Sequence, residues 1–147
     1  MPASYAVDTN LYIYASRDRA ARAELARFTV RTGFRLHLST VVLMELRAGV
    51  RSEHQRDGVE ILFNEFSRRE RLVVPSAAAY AQAGRVLESL ATREHFALAA
   101  APRSFTNDVL IAASCREQHV ILVTANNRDF AAIGRHLRGF RCVAPWP

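Results

Sequence analysis

Tyr5-Ala6-Val7-Asp8-Thr9-Asn10 begins as a short apolar run and stops abruptly at three polar side chains. A continuous apolar run of this length is typical of a strand that is buried on both faces of a parallel sheet. Asp8 follows the carboxyl end of that strand, which is where open parallel sheets bind their ligands. The stretch therefore predicts a parallel α/β fold with its chemistry at the end of the first strand.

The rest of the chain alternates between apolar strands and helical patterns. Further strands are predicted at residues 34–38, 72–74, 120–123 and 141–143. Helices are predicted at residues 11–15, 19–32, 56–68, 76–92 and 107–119, with an irregular connection containing a helical piece at 93–105. A further helix is predicted to begin at a cap, either Ser39 or Thr40, and to end near Gly49. This alternation indicates a three-layer α/β/α sandwich with a central, mostly parallel sheet. Without repeats or linkers, residues 1–147 are expected to form a single domain.

The charge of the chain excludes some chemistry and permits a polyanionic partner. All 20 basic residues are arginines, and the formal net charge is +6. The lack of lysine excludes P-loop, Schiff-base and lysine-base mechanisms, as well as receiver domains and aspartate-nucleophile phosphatases, which need a lysine. Arginine suits phosphate ligands because its guanidinium group binds them in bidentate fashion. Base composition of the genome is an equally good explanation for the arginines.

Composition also predicts the compartment. No apolar stretch approaches the length of a membrane span, and no basic residue precedes Arg17, so neither a transmembrane helix nor a secretory signal is expected. Two cysteines, Cys115 and Cys142, are too few for a disulfide framework or a Cys-based zinc site. We therefore expect a cytoplasmic protein with reduced thiols.

Four acidic residues are placed where such a fold would use them. Asp8 and Asp129 follow predicted strands, and Asp108 is predicted in the first turn of a helix that begins at Asn107, where the helix dipole favours its charged form. Glu45 lies among apolar neighbours, where a lone carboxylate would be costly.

Each acid also has a structural explanation. Asp8 and Asp108 could be helix N-caps, Glu45 could point outward and pair with nearby arginines, and Asp129 could be a turn residue. Together, however, converging carboxylates repel one another unless a cation compensates them. Because hard oxygen ligands with few histidines favour Mg²⁺ or Mn²⁺ over zinc, the cluster predicts a site for one of these ions. None of the five histidines has a ligand or triad spacing.

Four segments together resemble the motifs of PIN-domain ribonucleases. They are residues 7–10 (VDTN), 39–46 (STVVLMEL), 107–113 (NDVLIAA) and 122–130 (LVTANNRDF). Their order and spacing match, and they span nearly the whole chain. Within this family the chain resembles VapC-type toxins of toxin–antitoxin pairs. The resemblance implies a small α/β/α sandwich that cleaves RNA with Mg²⁺ or Mn²⁺, forms homodimers and binds a cognate antitoxin.

The resemblance also assigns roles to individual residues. Asp8, Glu45 and Asp108 match the family's metal-binding acids, and Thr9, Asn10 and Thr124 match supporting polar groups that orient ligands or waters. Many relatives carry a fourth acid where this chain has Asn126. Asp129 takes over that role or Asn126 contributes a carbonyl oxygen, and either one or two ions act. The alternative function is a catalytically inactive PIN-like module that binds RNA or serves as a scaffold.

Two helices are predicted to be amphipathic. The apolar stripes of residues 56–68 and 76–92 face the core by default. The alternative is that one of them forms a hydrophobic clamp for an antitoxin helix, or a dimer contact.

Overall fold

A computed structural model describes residues 2–147 and contains a five-stranded sheet in which every strand pair is parallel. The strands are β1 (Ser4–Val7), β2 (Leu36–Ser39), β3 (Leu72–Val73), β4 (Val120–Val123) and β5 (Cys142–Val143). Their order across the sheet is β3-β2-β1-β4-β5. The predicted parallel α/β sandwich is therefore confirmed, and all five strands lie at or within a few residues of their predicted positions.

Seven α-helices connect and flank the strands. They are α1 (Thr9–Arg17), α2 (Arg19–Thr32), α3 (Thr40–Ala48), α4 (Glu53–Arg68), α5 (Ala77–Arg93), α6 (Arg103–Glu117) and α7 (Asn127–Gly134). Single 3₁₀ turns occur at Gly33–Arg35 and Leu98–Ala100. The second of these turns is the helical piece expected in the irregular connection.

Helix boundaries follow from capping side chains. The side chains of Asp18, Ser39, Ser52 and Ser76 each accept a hydrogen bond from a backbone N–H in the first turn of the next helix. Gly33 ends α2 with a φ of 58°. Glycine adopts this positive φ at little cost in free energy because it has no Cβ atom. These caps explain why α2 has its predicted bounds, and they show that Ser39, and not Thr40, caps α3.

Two helix predictions are wrong. Helix α6 begins at Arg103 and not at Asn107, because its N-cap is Pro102, which makes no side-chain cap and leaves no capping signal in the sequence. Helix α7 was not predicted at all. Its N-terminal asparagines are typical of turns, yet Asn126 caps this helix by accepting from the backbone N–H of Asp129.

The position of β1 in the sheet creates the crevice that matters for function. β1 lies in the middle, and the chain runs from it to β2 and β3 on one side before returning to β4 and β5 on the other. In parallel sheets the strand order reverses at such a point, and ligands bind beyond the carboxyl ends of the two strands that flank it. Val7 pairs with Val123 in register, so the residues that follow these strands start side by side.

The core is built from buried strands and from single faces of the helices. All four residues of β4 are buried. The apolar stripe of α5 faces the core, as predicted, and its buried residues are Ala79, Ala83, Val86 and Leu90. The predicted stripe of α4 also turns inward, since Phe66 is buried and Val59, Leu62 and Phe63 are half-buried, whereas Ile61, outside the stripe, is largely exposed. Both cysteines are free.

No helix within residues 2–147 has the length and apolarity that a bilayer crossing requires.

Candidate functional site

Asp8 lies at the switch point between β1 and β4. Its backbone N–H donates to the carbonyl of Val123 over 2.9 Å, which extends the pairing of the two strands by one residue. The carboxylate accepts hydrogen bonds on both oxygens: Oδ1 from the backbone N–H of Thr9 at 2.8 Å and Oδ2 from the hydroxyl of Thr124 at 2.7 Å. Asp8 therefore caps α1 and is also fixed against the end of β4.

Burial dominates the electrostatics of Asp8. The residue is only 4% exposed, and this desolvation raises the pKa of its carboxyl. The hydrogen bonds from Thr124 and Thr9 work in the opposite direction, and the charge of Glu45 adds to the increase. Neutral donors thus support the charged form of Asp8 without neutralising it.

Glu45 points inward from the middle of α3. Val41 and Val42 are buried, and Glu45 follows them by four and three residues, so it shares their face of the helix. Its Oε1 accepts from the hydroxyl of Thr9 at 2.6 Å, and its Oε2 accepts from the side-chain amide of Asn107 at 3.2 Å. Helices α1, α3 and α6 therefore meet at one carboxylate.

Glu45 does not pair with the arginines of its own helix and the loop after it. Arg47 forms its ion pair with Glu60, and Arg51 donates to the backbone carbonyls of Ala48 and Val50. The outward-facing explanation of Glu45 is therefore wrong.

Asp108 is the most strongly perturbed acid of the cluster. It is 8% exposed, and its pKa is raised to about 8, first by burial and then by the charges of Asp8, Glu45 and Asp129. Because Coulomb interactions weaken with distance, Asp108 lies near the other three carboxylates, and Glu45 also lies near Asp8. The acids that are far apart in the sequence have thus been brought to one place.

The predicted position of Asp108 in its helix needs correction. Because α6 begins at Arg103, Asp108 lies in the second turn and not in the first. It is therefore neither an N-cap nor next to the free N–H groups that make a helix N-terminus positive. The expected stabilisation of its charged form by the dipole is replaced by an increase in pKa.

Asp129 approaches the cluster from the first turn of α7. Its Oδ2 accepts from the side-chain amide of Asn126 at 3.1 Å, while the side chain of Asn126 accepts from the backbone N–H of Asp129 at 3.3 Å. The backbone N–H of Asn126 in turn donates to the Thr124 hydroxyl that holds Asp8. Both candidates for the fourth position therefore belong to one hydrogen-bonded chain that leads to Asp8.

The other predicted supporting residues differ in their placement. Thr9 and Thr124 are buried and contact the acids directly, whereas Asn10 is exposed on α1. The sequence does not predict Asn107 as a site residue, but only as part of a motif and as the start of a helix. Its contact with Glu45 spans 62 residues, and its one sequence signal is its position directly before Asp108.

The carboxylate donors suit a divalent cation, although the side chains do not form a complete coordination site. Carboxylate oxygens are the ligands that Mg²⁺ and Mn²⁺ prefer, and no arginine or histidine is among the groups that shift the pKa of Asp8 or Asp108. Within the described part of the chain, no three His, Cys, Asp or Glu side chains already form a group that could hold a metal ion. Charge and donor type therefore fit such an ion, and binding requires the carboxylates to move closer together.

One known protein family matches most of this chain. The family model of the PIN domain matches residues 5–136. The chain belongs to the PIN domain family. Members of this family are generally nucleases, and these generally use divalent metal ions. The match extends from β1 to the residues after α7, and all four acids lie inside it.

Solved structures show the same PIN fold. The DNA-bound VapBC complex from Salmonella typhimurium matches with a TM-score of 0.71 and 21% identity, covering 97% of this chain and 98% of that one. VapBC-1 from nontypeable Haemophilus influenzae matches with a TM-score of 0.66 and 20% identity, covering 95% and 96%. FitAcB from Neisseria gonorrhoeae matches with a TM-score of 0.65 and 17% identity, covering 97% and 98%. No curated protein sequence matches this chain.

Proposed function

We propose that this PIN domain protein is a divalent-metal-dependent endoribonuclease and the toxin of a toxin–antitoxin pair, similar to VapC. The observation that carries the proposal is the meeting of acids beyond β1, where the buried Asp8 and Asp108 lie close enough to Glu45 for its charge to raise the pKa of both. A group of this kind costs folding free energy unless it binds a cation. Carboxylates with strongly perturbed pKa values cluster at the functional sites of proteins.

Each acid has a separate role in this proposal. Asp8, Glu45 and Asp108 hold Mg²⁺ or Mn²⁺, and Asp129 is the fourth ligand or orients a water through its own hydrogen bonds. When bound, the ion supplies Lewis-acid stabilisation of the negative charge that develops during attack on a phosphodiester. Thr124 and Thr9 keep the carboxylates of Asp8 and Glu45 oriented through bonds of 2.7 and 2.6 Å.

RNA is the substrate that we propose. The net charge of +6 favours a polyanion, and exposed arginines would bind the phosphates of a single strand. The preference for RNA over DNA follows from the resemblance to PIN-domain ribonucleases, since hydrolysis by a metal-activated water does not need the ribose 2′-hydroxyl. The test therefore includes both nucleic acids.

An antitoxin is the protein partner that we propose, in the cytoplasm. The similar structures were solved as VapBC and FitAcB complexes, which supports such a partner. An apolar groove of about 540 Å³ between α2 and α4 offers a surface for it. On this groove Phe34 is 78% exposed and Ile61 is 65% exposed, which is unusual for side chains of this size.

The groove suits an apolar segment with acidic flanks. Its lining includes the half-buried Leu62, the buried Phe66, Arg69 and Arg71, with Glu65 as its one acidic lining residue among those described. Arg71 is held there by bonds to the carbonyls of Gly33 and Leu36 and lies over the Phe66 ring. An amphipathic antitoxin helix would bury the exposed apolar side chains. We also propose that the toxin forms a homodimer.

One experiment separates an enzyme from an inactive module. We compare Asp8→Asn with the matched control Asp57→Asn, since Asp57 is exposed on α4. Purified protein is incubated with single-stranded RNA or DNA of the same sequence, in Mn²⁺ or in EDTA. We expect the wild type and the control to cut RNA only with Mn²⁺, and Asp8→Asn to lose at least 100-fold in rate.

Two results would contradict the proposal. Equal cleavage by Asp8→Asn and the wild type would place the activity outside the acidic cluster. Absence of cleavage by any variant, together with unchanged RNA affinity of Asp8→Asn, would support the alternative of a catalytically inactive RNA-binding module. Asn126 in place of an acid is the feature that favours this alternative.

A further inference from the structure

Both oxygens of the Glu45 carboxylate are held by uncharged donors from different helices. The Thr9 hydroxyl binds Oε1 at 2.6 Å, and the Asn107 amide binds Oε2 at 3.2 Å. A long glutamate side chain has three rotatable bonds, so one contact would leave its end free to rotate. Two contacts from separate elements fix both the position and the plane of the carboxylate.

The local structure does not otherwise explain an asparagine at position 107. Asn107 is the fifth residue of α6, so it lies beyond the positions at which an asparagine caps a helix. Inside a helix asparagine is less favourable than alanine or leucine, because its side chain competes for backbone hydrogen bonds. Its amide instead reaches across to α3, so the contact with Glu45 is the role that the geometry gives it.

The neutrality of this donor matters for an acidic site. A cationic partner such as arginine would hold Glu45 equally well, but it would neutralise the charge and compete with a bound cation. An amide donates a hydrogen bond and leaves the full negative charge available. Groups of this kind, which orient a ligand without touching the metal, affect metal affinity strongly.

We propose that Asn107 is a positioning residue that orients Glu45 for binding of a divalent cation. The inference rests on the proposed function, since it concerns the same acidic cluster. It also explains why Asn107 directly precedes Asp108. One turn of α6 then supplies an acid of the cluster and the group that orients another, so the two are positioned together.

The test measures metal binding without RNA. Asn107→Leu removes the amide at similar size, and Asn64→Leu is the matched control, because Asn64 is exposed on α4. Mn²⁺ is titrated alone into each protein by calorimetry. We expect about 10-fold or more weaker Mn²⁺ binding in Asn107→Leu and an unchanged affinity in Asn64→Leu. Asn107→Ala is the second variant if Asn107→Leu does not fold.

A double-mutant cycle shows whether Asn107 acts through Glu45. In a Glu45→Gln background, Asn107→Leu should cause less than a 2-fold further change in Mn²⁺ affinity, because the carboxylate that it orients is gone. A wild-type Mn²⁺ affinity in Asn107→Leu would overturn the inference, and so would an equal loss in the Glu45→Gln background. Absence of Mn²⁺ binding by the wild type would overturn the proposed function as well, so the two failures are distinguishable.

Discussion

The hydroxyl of Thr9 donates a 2.6 Å hydrogen bond to Oε1 of Glu45, although 36 residues separate them in the sequence. The backbone N–H of the same threonine binds Oδ1 of Asp8. One residue at the start of α1 thus orients two carboxylates that come from different elements. This arrangement makes the acidic cluster a connected structure, and its energetics are open to direct measurement.

The metal-free protein should lose stability as the pH rises. Asp108 holds its proton up to about pH 8 in the folded state, whereas its ordinary pKa is 3.8. The folded state therefore binds more protons than the unfolded state between these values, and the free energy of unfolding falls across this range. Urea unfolding in EDTA at pH 5, 6.5 and 8 measures this slope, and Mn²⁺ should reduce it. A slope that Asp108→Asn leaves unchanged would contradict the assignment.

Asp108→Asn should change stability and activity in opposite directions. At pH 8 without metal it removes a buried, repelled carboxylate, so we expect at least about 1 kcal/mol more stability, given that one pKa unit corresponds to about 1.4 kcal/mol. Near pH 4, where the wild-type carboxyl is protonated, the two proteins should be similar. RNA cleavage should be lost. Asp57→Asn is the control, and a destabilised Asp108→Asn at pH 8 would be the contrary result.

Thr124→Val should weaken the support of Asp8 without changing the volume of the core. Thr124 is fully buried, and its hydroxyl is the donor to Oδ2 of Asp8. Its loss leaves Oδ2 of Asp8 without that donor and the backbone N–H of Asn126 without its acceptor, so we expect a cost of at least about 1–3 kcal/mol. Urea unfolding at pH 7 measures the change, with Thr106→Val on the exposed side of α6 as control. Equal stability of the two variants would show that these two hydrogen bonds contribute little.

Asp129→Asn should impair cleavage less than Asp8→Asn does. Asp129 is the last of the charges that raise the pKa of Asp108, and its Oδ2 is already bound by Asn126. We expect a loss of about 10-fold in rate, as for groups that tune a metal site from outside. Initial rates over a series of Mn²⁺ concentrations provide the measurement. A loss as large as that of Asp8→Asn would make Asp129 an equal ligand.

Phe34→Asp and Ile61→Asp should abolish binding of an antitoxin and leave RNA cleavage intact. A charge in the centre of an apolar interface leaves an unpaired buried group, so we expect at least 100-fold weaker binding. The measurement is co-purification with the co-expressed product of a short neighbouring reading frame. Val74→Asp is the control, because Val74 is 53% exposed but outside the groove. Retained binding in both variants would place the partner elsewhere, and a change in the mass of the protein when it is purified alone would indicate a dimer contact.

Local signals predicted most of the fold but not the details of the site. The sequence predicts strand β4 with its observed bounds because it is a continuous apolar run, and it predicts the end of α2 because Gly33 follows it. The start of α6 was missed because Pro102 offers no side-chain cap. That error moved Asp108 by one turn and gave its pKa the wrong direction.

The contacts that orient the acids were beyond sequence reasoning for a different reason. The bonds from Thr9 and Asn107 to Glu45 and from Thr124 to Asp8 join residues 36, 62 and 116 positions apart. Spacing along the chain carries no information on such distances unless the fold is known. The motif order indicated which acids converge, and the structure shows which neutral groups hold them.

The pairing of β1 with β4 has a consequence for synthesis of the protein. Asp8 is synthesised well before its partners Val123 and Thr124, since Thr124 lies 116 residues further along the chain. Contacts between such distant residues form late, because the intervening segments must first be ordered. A chain in which Val123 and Thr124 have not yet been made therefore lacks the groups that fix Asp8, and under the proposed function it should not cleave RNA before β4 has been synthesised.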